Sequence, residues 1–251
     1  MSRRGGGQRP EPCHALVTGG SGEIGAAICR QLAAEGLHVI VHAGRSLERA
    51  ERVAESIRTD GGSAAAVRFD LADGEATRQA VATLADAGPL GIVVHNAGIH
   101  DDGPMAGLTP RQWQRVIDIN LGGFFNVVQP ALLGMARLRW GRVIAISSVA
   151  ARIGNRGQTN YAAAKAGLHG AVASLAREMA ARGISANAIA PGIIDTGMLG
   201  ELDREALLSA VPAGRFGQPD EVGALAAFLC SQAAGYINGQ VIGVDGAMAP
   251  G

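Results

Sequence analysis

Tyr161 stands four residues before Lys165 in the stretch Tyr161-Ala162-Ala163-Ala164-Lys165, and the chain has only two tyrosines. Residues four apart on a helix share a face, so the phenol and the ammonium point the same way. A nearby ammonium favours phenolate and lowers the phenol's pKa toward the range useful for acid–base work. Ser148 lies thirteen residues before Tyr161, just past the apolar run 142–146. Open α/β sheets place their ligands at the carboxyl ends of parallel strands, so this hydroxyl would face the same chemistry. By spacing alone Tyr-x-x-x-Lys is a weak signal; its weight comes from what surrounds it.

A second cluster is Thr18-Gly19-Gly20-Ser21-Gly22-Glu23-Ile24-Gly25, between an apolar run and a helical stretch. A tight glycine turn between strand and helix faces backbone N–H groups toward a pyrophosphate, whose charge the helix dipole favours. The second strand should deliver the residue that meets the adenosine ribose. That segment reads Val39-Ile40-Val41-His42-Ala43-Gly44-Arg45-Ser46, with no acid to accept from a 2′-hydroxyl. Arg45 can pair with a 2′-phosphate, which favours NADP(H), or it can be a solvated residue at a helix start. Asp70 can accept from the adenine amino group, or it can cap the helix that follows.

Strands and helices must bring these residues together. Apolar runs at 15–17, 39–41, 66–69, 91–94, 142–146, 186–189 and 240–244 have strand length without clean alternation, as strands buried on both faces do. Helical segments such as 24–35, 47–58 and 221–229 separate them, and Ile24, Ile28 and Leu32 make one apolar stripe. The alternation predicts a Rossmann-type three-layer α/β sandwich with a seven-stranded parallel sheet. Residues 1–12 are read as a flexible N-terminal tail and 13–251 as a single domain. Residues 193–212 are either a lid over a substrate site or a surface helix pair.

The balance of 22 basic and 22 acidic side chains, with 47% hydrophobic residues, excludes disorder as the main state. It also argues against a coat for nucleic acid or an anionic membrane. No apolar run approaches the roughly 20 residues of a membrane span. Cys13, Cys29 and Cys230 are far apart and form no Cys-x-x-Cys pair, so neither a metal site nor a disulfide framework is expected. Buried thiols in a reducing cytoplasm are the simpler reading.

Taken in order, these residues resemble the short-chain dehydrogenase/reductase family. The resemblance runs from Ala15 to the C-terminus through the glycine loop, Asp70-Leu71, His95-Asn96-Ala97-Gly98, Asn120, Ser148, Tyr161, Lys165, Pro191-Gly192 and Thr196. It closes with Gly239-Gln240-Val241-Ile242-Gly243-Val244-Asp245-Gly246. Within the family, Asn160-Tyr161-Ala162-Ala163-Ala164-Lys165-Ala166-Gly167-Leu168 and Gly214-Arg215-Phe216-Gly217-Gln218-Pro219 are similar to 3-oxoacyl-[acyl-carrier-protein] reductases. Residues 99–105 further resemble members found with aryl-polyene or polyketide-like assembly genes.

The resemblance implies roles. Tyr161 would protonate a carbonyl oxygen as hydride arrives, and Ser148 would hold that oxygen. Such donors act where negative charge develops. Lys165 would hold the nicotinamide ribose and lower the Tyr161 pKa, and Asn120 would keep a water linking Lys165 to solvent. Cofactor contacts are implied at Gly19, Ser21, Glu23, Ile24, Arg45, Asp70 and Leu71. Others are implied at Asn96, Ala97, Gly98, Pro191, Gly192, Ile194 and Thr196, besides Tyr161 and Lys165 themselves. Glu23 departs from the family by replacing the middle glycine of the loop, where a carboxylate repels pyrophosphate unless it points outward or caps the helix. His95 stands where asparagine is usual and is expected to be a neutral strand-end residue without a catalytic part.

The implied substrate is a 3-oxoacyl thioester on an acidic acyl carrier protein or coenzyme A, reduced with NADPH in a fatty-acid-, aryl-polyene- or polyketide-type pathway. Arg139 and Arg182 match arginines that dock the carrier beside the site, and Arg137 and Arg142 add charge nearby. Solvated arginines at helix ends are the alternative. Ile153, Ile193 and Met198 would form an apolar entrance. A homodimer or homotetramer is expected. Two other readings stay open: a dehydrogenase of another secondary alcohol such as a sugar or steroid, and a non-catalytic nucleotide-sensing module.

Overall fold

All seven apolar runs form strands, and all seven strands are parallel. In the computed structural model, which describes residues 8–197 and 204–250, they are β1 (His14–Thr18), β2 (His38–Ala43), β3 (Ser63–Arg68), β4 (Leu90–His95), β5 (Gly141–Ile146), β6 (Ile184–Pro191) and β7 (Val241–Val244). The sheet order is β3-β2-β1-β4-β5-β6-β7. The absence of polar alternation follows from burial on both faces. Leu16, Ile40, Val93 and Val143 pack into one core with Phe124, Val127 and Leu168. Val17, Val41, Ile92 and Ile144 pack into the other with Ile28, Leu32 and Leu229. Each such side chain contributes about 1.5–3 kcal/mol relative to exposure.

Helices α1 (Glu23–Ala34) and α2 (Leu47–Thr59) cover the second core, and α3 (Gly74–Ala87) the first. Then come α4 (Pro110–Ile117), α5 (Gly123–Leu138), α6 (Ala150–Ile153), α7 (Thr159–Met179), α8 (Arg204–Ser209) and α9 (Pro219–Cys230). Helices α5 and α7 join α3, and α9 packs with α1. A π-turn, Asp118–Gly122, interrupts the helical path between α4 and α5. The order places β1 beside β4, the point where successive connections diverge to opposite faces and open a crevice at the strands' carboxyl edge.

Three details differ from expectation. Strand β3 runs over Ser63–Arg68, earlier than 66–69, because pairing with β2 extends from His38↔Ser63 to Ala43↔Arg68 through alanines that carry little strand signal. Phe69 leaves the ladder and packs on the His42 ring, with centroids 4.1 Å apart. Second, Pro110–Leu138 is long and apolar enough to cross a membrane by length and composition, contrary to the reading of the apolar runs. Here its α5 portion packs Phe124, Val127 and Met135 into the first core. Third, Arg142 adds no surface charge. It is 3% exposed, stacks on Trp140 at 4.6 Å, and donates to the carbonyls of Gly141 and Ser231. Its guanidinium has no carboxylate partner among these contacts and stays satisfied through carbonyl acceptors, as a buried charge requires.

Cys13, Cys29 and Cys230 are free and buried, and burial pushes the Cys13 thiol up to about 11. Residues 198–203 of the 193–212 segment, Met198 among them, and residues 1–7 of the expected tail lie outside the described residues. The flanks of that segment are anchored. Ile194 bridges to Gly217, and Arg204 pairs with Asp195 at 3.0 Å.

Candidate active site

Helix α7 starts at the carboxyl edge of the sheet, so its first turns hang over the end of β5. There Ser148 and Tyr161 come together, with the Ser148 hydroxyl near enough to the phenol to pull its pKa down. A turn fixes Ser148, whose Oγ accepts the Ala150 N–H at 3.1 Å. Asn160 fixes the approach of Tyr161. Fully buried, it accepts the Tyr161 N–H through Oδ1 at 2.8 Å and donates through Nδ2 to the Asp101 carbonyl at 3.0 Å. The segment after β4 is thereby clipped to the loop before α7, and Gly103 N–H to Gly157 carbonyl adds a second clip at 2.8 Å.

Lys165 lies one turn further along α7, 2% exposed, with Nζ donating to the Ile146 carbonyl at 2.8 Å and 5.7 Å from the Tyr161 ring centre. Burial holds the ammonium down at about 8. The expected depression of the Tyr161 phenol is not what the protein alone produces. Burial raises its pKa, the Ser148 hydrogen bond lowers it, and the Asp102 carboxylate adds a further upward push. The reason is geometric: the ammonium is aimed at a carbonyl, and desolvation of a phenolate wins.

Asn120 sits in the π-turn, fully buried, and its Nδ2 donates to the carbonyls of Ile99 and Val116 at 2.8 and 2.9 Å. Its Oδ1 has no partner among the described residues. A Cβ placed on Gly98 would lie 2.5 Å from that oxygen and 3.0 Å from Lys165 Nζ. Glycine at 98 therefore opens the space on which a buried acceptor and a buried ammonium converge. Asn120, Ser148, Tyr161 and Lys165 thus line one crevice.

The glycine loop forms the adjoining wall. Gly19 has φ +63°, and a Cβ there would lie 2.8 Å from Ala97 Cα, so only glycine fits between β1 and β4. Asn96 braces the loop through Nδ2, which donates to the carbonyls of Thr18 and Gly19, both at 3.1 Å. The Gly19 N–H does not face the crevice; it donates to His42 Nδ1 at 3.2 Å. No side chain caps α1, whose N-cap is Gly22. Glu23 turns outward, and its Oε1 accepts the Gly197 N–H at 2.7 Å. The α1 N-terminus therefore keeps the uncapped amides that suit a pyrophosphate, and the carboxylate is tied elsewhere. The residues present fit a dinucleotide.

The other expected contacts fall into two groups. Thr196 and Gly192 are half-buried at the crevice rim, and Pro191 ends β6 with its carbonyl accepting the Val149 N–H at 2.8 Å. Ser21 offers its backbone, whose carbonyl takes Arg49 Nη2 at 3.5 Å. Leu71 and Ile194 have side chains in the cores, 3% and 6% exposed, so only their backbones can reach a ligand. Asp70 does not cap α3. It accepts the Ala72 N–H, while Asp73 caps the helix by accepting from Glu75 and Ala76. Asp73 wins because it stands directly before the first helical residue. Of the three residues of the expected entrance, Ile153 is exposed and Ile193 partly buried, and Met198 is outside the described residues.

Arg139 and Arg182 come together, but not beside the crevice. With Arg137, Leu132, Leu133 and Met179 they line a groove of about 780 Å³, and Arg139 Nη2 donates to the Ala181 carbonyl at 3.1 Å. Arg139 precedes β5 and Arg182 precedes β6, so both stand at the amino edge of the sheet. At 1.5 Å per residue, α7 and its 3-10 end separate Arg182 from Tyr161 by about 30 Å.

The sequence reading missed Thr18, His42, Arg49 and Asn160. Arg49 was legible as the residue one helical turn after Arg45; the others are polar residues at strand or helix ends whose partners are distant in sequence. It also missed a compositional signal. Lys165 is the only lysine, every other basic side chain among the 22 being arginine. Arginine stays charged in proteins, so a lone lysine marks where a titratable amine is used.

A glycine turn leading to an uncapped helix, beside a crevice holding hydroxyl, phenol and amine, is the architecture of a dinucleotide-dependent oxidoreductase. The short chain dehydrogenase family profile matches residues 13–207, and the chain belongs to that family. It is 42% identical over 236 residues to the 3-oxoacyl-[acyl-carrier-protein] reductase FabG of Aggregatibacter actinomycetemcomitans, covering 93% of this chain and 98% of the relative. The corresponding Pseudomonas aeruginosa protein is 41% identical over 239 residues, covering 93% and 96%. The 3-oxoacyl-[acyl-carrier-protein] reductase of Synechocystis is 42% identical over 236 residues, with the same coverage.

Proposed function

We propose that this protein reduces 3-oxoacyl thioesters to 3-hydroxyacyl thioesters with NADPH, acting in the cytoplasm on substrate carried by an acidic acyl carrier protein. The convergence of Ser148, Tyr161, Lys165 and Asn120 on one crevice beside the glycine turn carries the reading, and the similarity to 3-oxoacyl reductases supports the substrate class. Bound NADPH supplies the hydride. Tyr161 gives its proton to the carbonyl oxygen, and Ser148 donates a second hydrogen bond to it, both where charge develops. Lys165 holds the nicotinamide ribose and, with Asn120 Oδ1, keeps a path by which Tyr161 regains its proton. Oxidation of NADPH by purified enzyme and an acetoacetyl thioester tests the reading; no turnover of that substrate, with a different ketone or alcohol consumed, would overturn it.

NADPH preference rests on two cations. Arg45 follows β2, and Arg49 reaches back from α2 to the glycine loop. Arg49→Ala is expected to raise KM for NADPH about tenfold with little change for NADH, since a charge-assisted bond to a 2′-phosphate contributes roughly 1.5–3 kcal/mol. Initial rates at varied cofactor check this; equal effects on both cofactors would remove Arg49 from the assignment.

Carrier docking at Arg139 and Arg182 is part of the proposal, in altered form. At about 30 Å from Tyr161 these arginines do not flank the crevice of their own chain, so docking there requires that the crevice of a partner protomer, in a homodimer or homotetramer, lies beside them. Exposed Phe125 and Leu133 on α5 give such an assembly an apolar face. Arg139→Glu with Arg182→Glu should slow carrier-linked substrate about tenfold more than a free thioester, because repulsion acts only on the acidic partner. Equal slowing of both substrates would end the docking assignment.

A further inference from the structure

His95 is fully buried at the end of β4 and spans two parts of the site. Its Nε2 lies 2.9 Å from the backbone carbonyl of Asn120, in the π-turn, and its Nδ1 lies 3.3 Å from the Thr18 hydroxyl, at the entry to the glycine turn. A carbonyl can only accept, so Nε2 carries the proton. In the neutral ring Nδ1 is then bare and accepts the Thr18 Oγ1–H. Having donated, Thr18 Oγ1 accepts the N–H groups of Asn96 and Ala97, both at 3.1 Å. Every polar atom in this chain of contacts has a partner, and each direction follows from the one before. A cationic ring would place a second N–H against a hydroxyl left without an acceptor for its own proton.

We propose that His95 is a positioning residue that joins the Asn120 carbonyl to the Thr18 hydroxyl, so that the cofactor turn and the proton path are held as one hydrogen-bonded unit. The link enters the site at the π-turn. Within it the Gly123 N–H reaches back to the Asp118 carbonyl, in place of the regular α-helical pattern, and the Asn120 carbonyl takes the His95 Nε2–H from outside the helix at 2.9 Å. That peptide sets the direction of the Asn120 side chain and hence of the Oδ1 that borders, with Lys165 Nζ, the space kept open by Gly98. The imidazole reaches both partners at once, which the shorter amide of asparagine does only at one end. Its charge state is held by its surroundings: burial, then Lys165 of α7 and His42 of β2, all disfavour a cation, and they outweigh the Asn120 carbonyl, which favours one, holding the ring down at about 3. The Phe124 edge closes the remaining side at 5.9 Å between ring centres.

This inference rests on the proton path described under the proposed function, and its test has one arm that does not. Nitrogen-15 spectra of histidine-labelled protein should show His95 neutral with its proton on Nε2 from pH 7 down to pH 5; a proton on Nδ1, or a cation at pH 6, would overturn the link whatever the substrate proves to be. The kinetic arm uses His95→Leu. Its kcat for the thioester should fall about tenfold or more, with a larger solvent deuterium isotope effect and an NADPH dissociation constant within about threefold of wild type. His95→Asn should recover part of kcat, since one of the two bonds returns. A folded His95→Leu with unchanged kcat and isotope effect overturns the proposal, as does a loss lying wholly in NADPH affinity. Should the leucine variant fail to fold, His95→Asn alone decides: kcat about threefold down with a raised isotope effect supports the role, and wild-type values of both refute it.

Discussion

Tyr161→Phe should lower kcat for thioester reduction by about 10²- to 10⁴-fold while leaving NADPH affinity and folding near wild type. The phenyl ring keeps the packing and removes only the proton donor, so the change isolates chemistry. The environment explains why the loss should be large. Burial and, after it, the Asp102 carboxylate keep the phenol protonated against the opposing pull of the Ser148 hydroxyl. A phenol held in its neutral form is a competent donor to an oxygen that gains charge, because the proton moves as the charge develops. Stopped-flow NADPH oxidation with fluorescence binding of the cofactor separates the two quantities. A variant retaining more than about a tenth of wild-type kcat would show that another group delivers the proton.

Lys165→Met should produce the opposite signs in two assays. Reduction should fall by about a hundredfold or more, because the amine next to Asn120 Oδ1 and Tyr161 is gone. Thermal stability at pH 7 should hold or rise, by roughly 2–4 °C. The buried ammonium lies at about 8, against an ordinary 10.5, which corresponds to a burial cost of about 3 kcal/mol at neutral pH. Losing the bond to the Ile146 carbonyl offsets about 1–3 kcal/mol of that gain. The sign with pH follows. The folded pKa is depressed, so the wild-type penalty is full below about 8 and fades as pH rises toward 10.5, and the gap between variant and wild type should close over that window. Since Lys165 is the only lysine, selective labelling of lysine Cε gives one resonance whose titration reads this pKa directly. A midpoint near 10.5, or a variant several degrees less stable, would mean that the ammonium is not desolvated at a net cost.

The strands were legible because residues such as Val39, Val93 and Ile144 are apolar and β-branched at strand-length spacing, and the helices because stripes such as Ile28 and Leu32 repeat every turn. Where that local signal faded, as in the alanines of β3, only pairing with a neighbouring strand set the boundary. Tyr161 and Lys165 could be placed on one face because a helix relates them through its own geometry.

The direction of Lys165 could not be read in this way. Whether its ammonium served the phenol or a carbonyl depended on Ile146, at the end of a strand in a different part of the chain. The same holds for Glu23, which repels or does not repel a phosphate according to the position of Gly197, and for His95, whose proton is placed by Asn120 and Thr18. Arg139 and Arg182 show the limit most plainly: their positions match those of carrier-docking arginines in similar reductases, yet an intervening strand and helix carry them to the far edge of the sheet. Residue types and local periodicity determined which elements form and which groups can do acid–base chemistry. Distances between elements, the sign of each pKa shift and the face on which a charge emerges were decided by the tertiary structure, because desolvation and hydrogen bonding depend on neighbours that the chain order does not bring together.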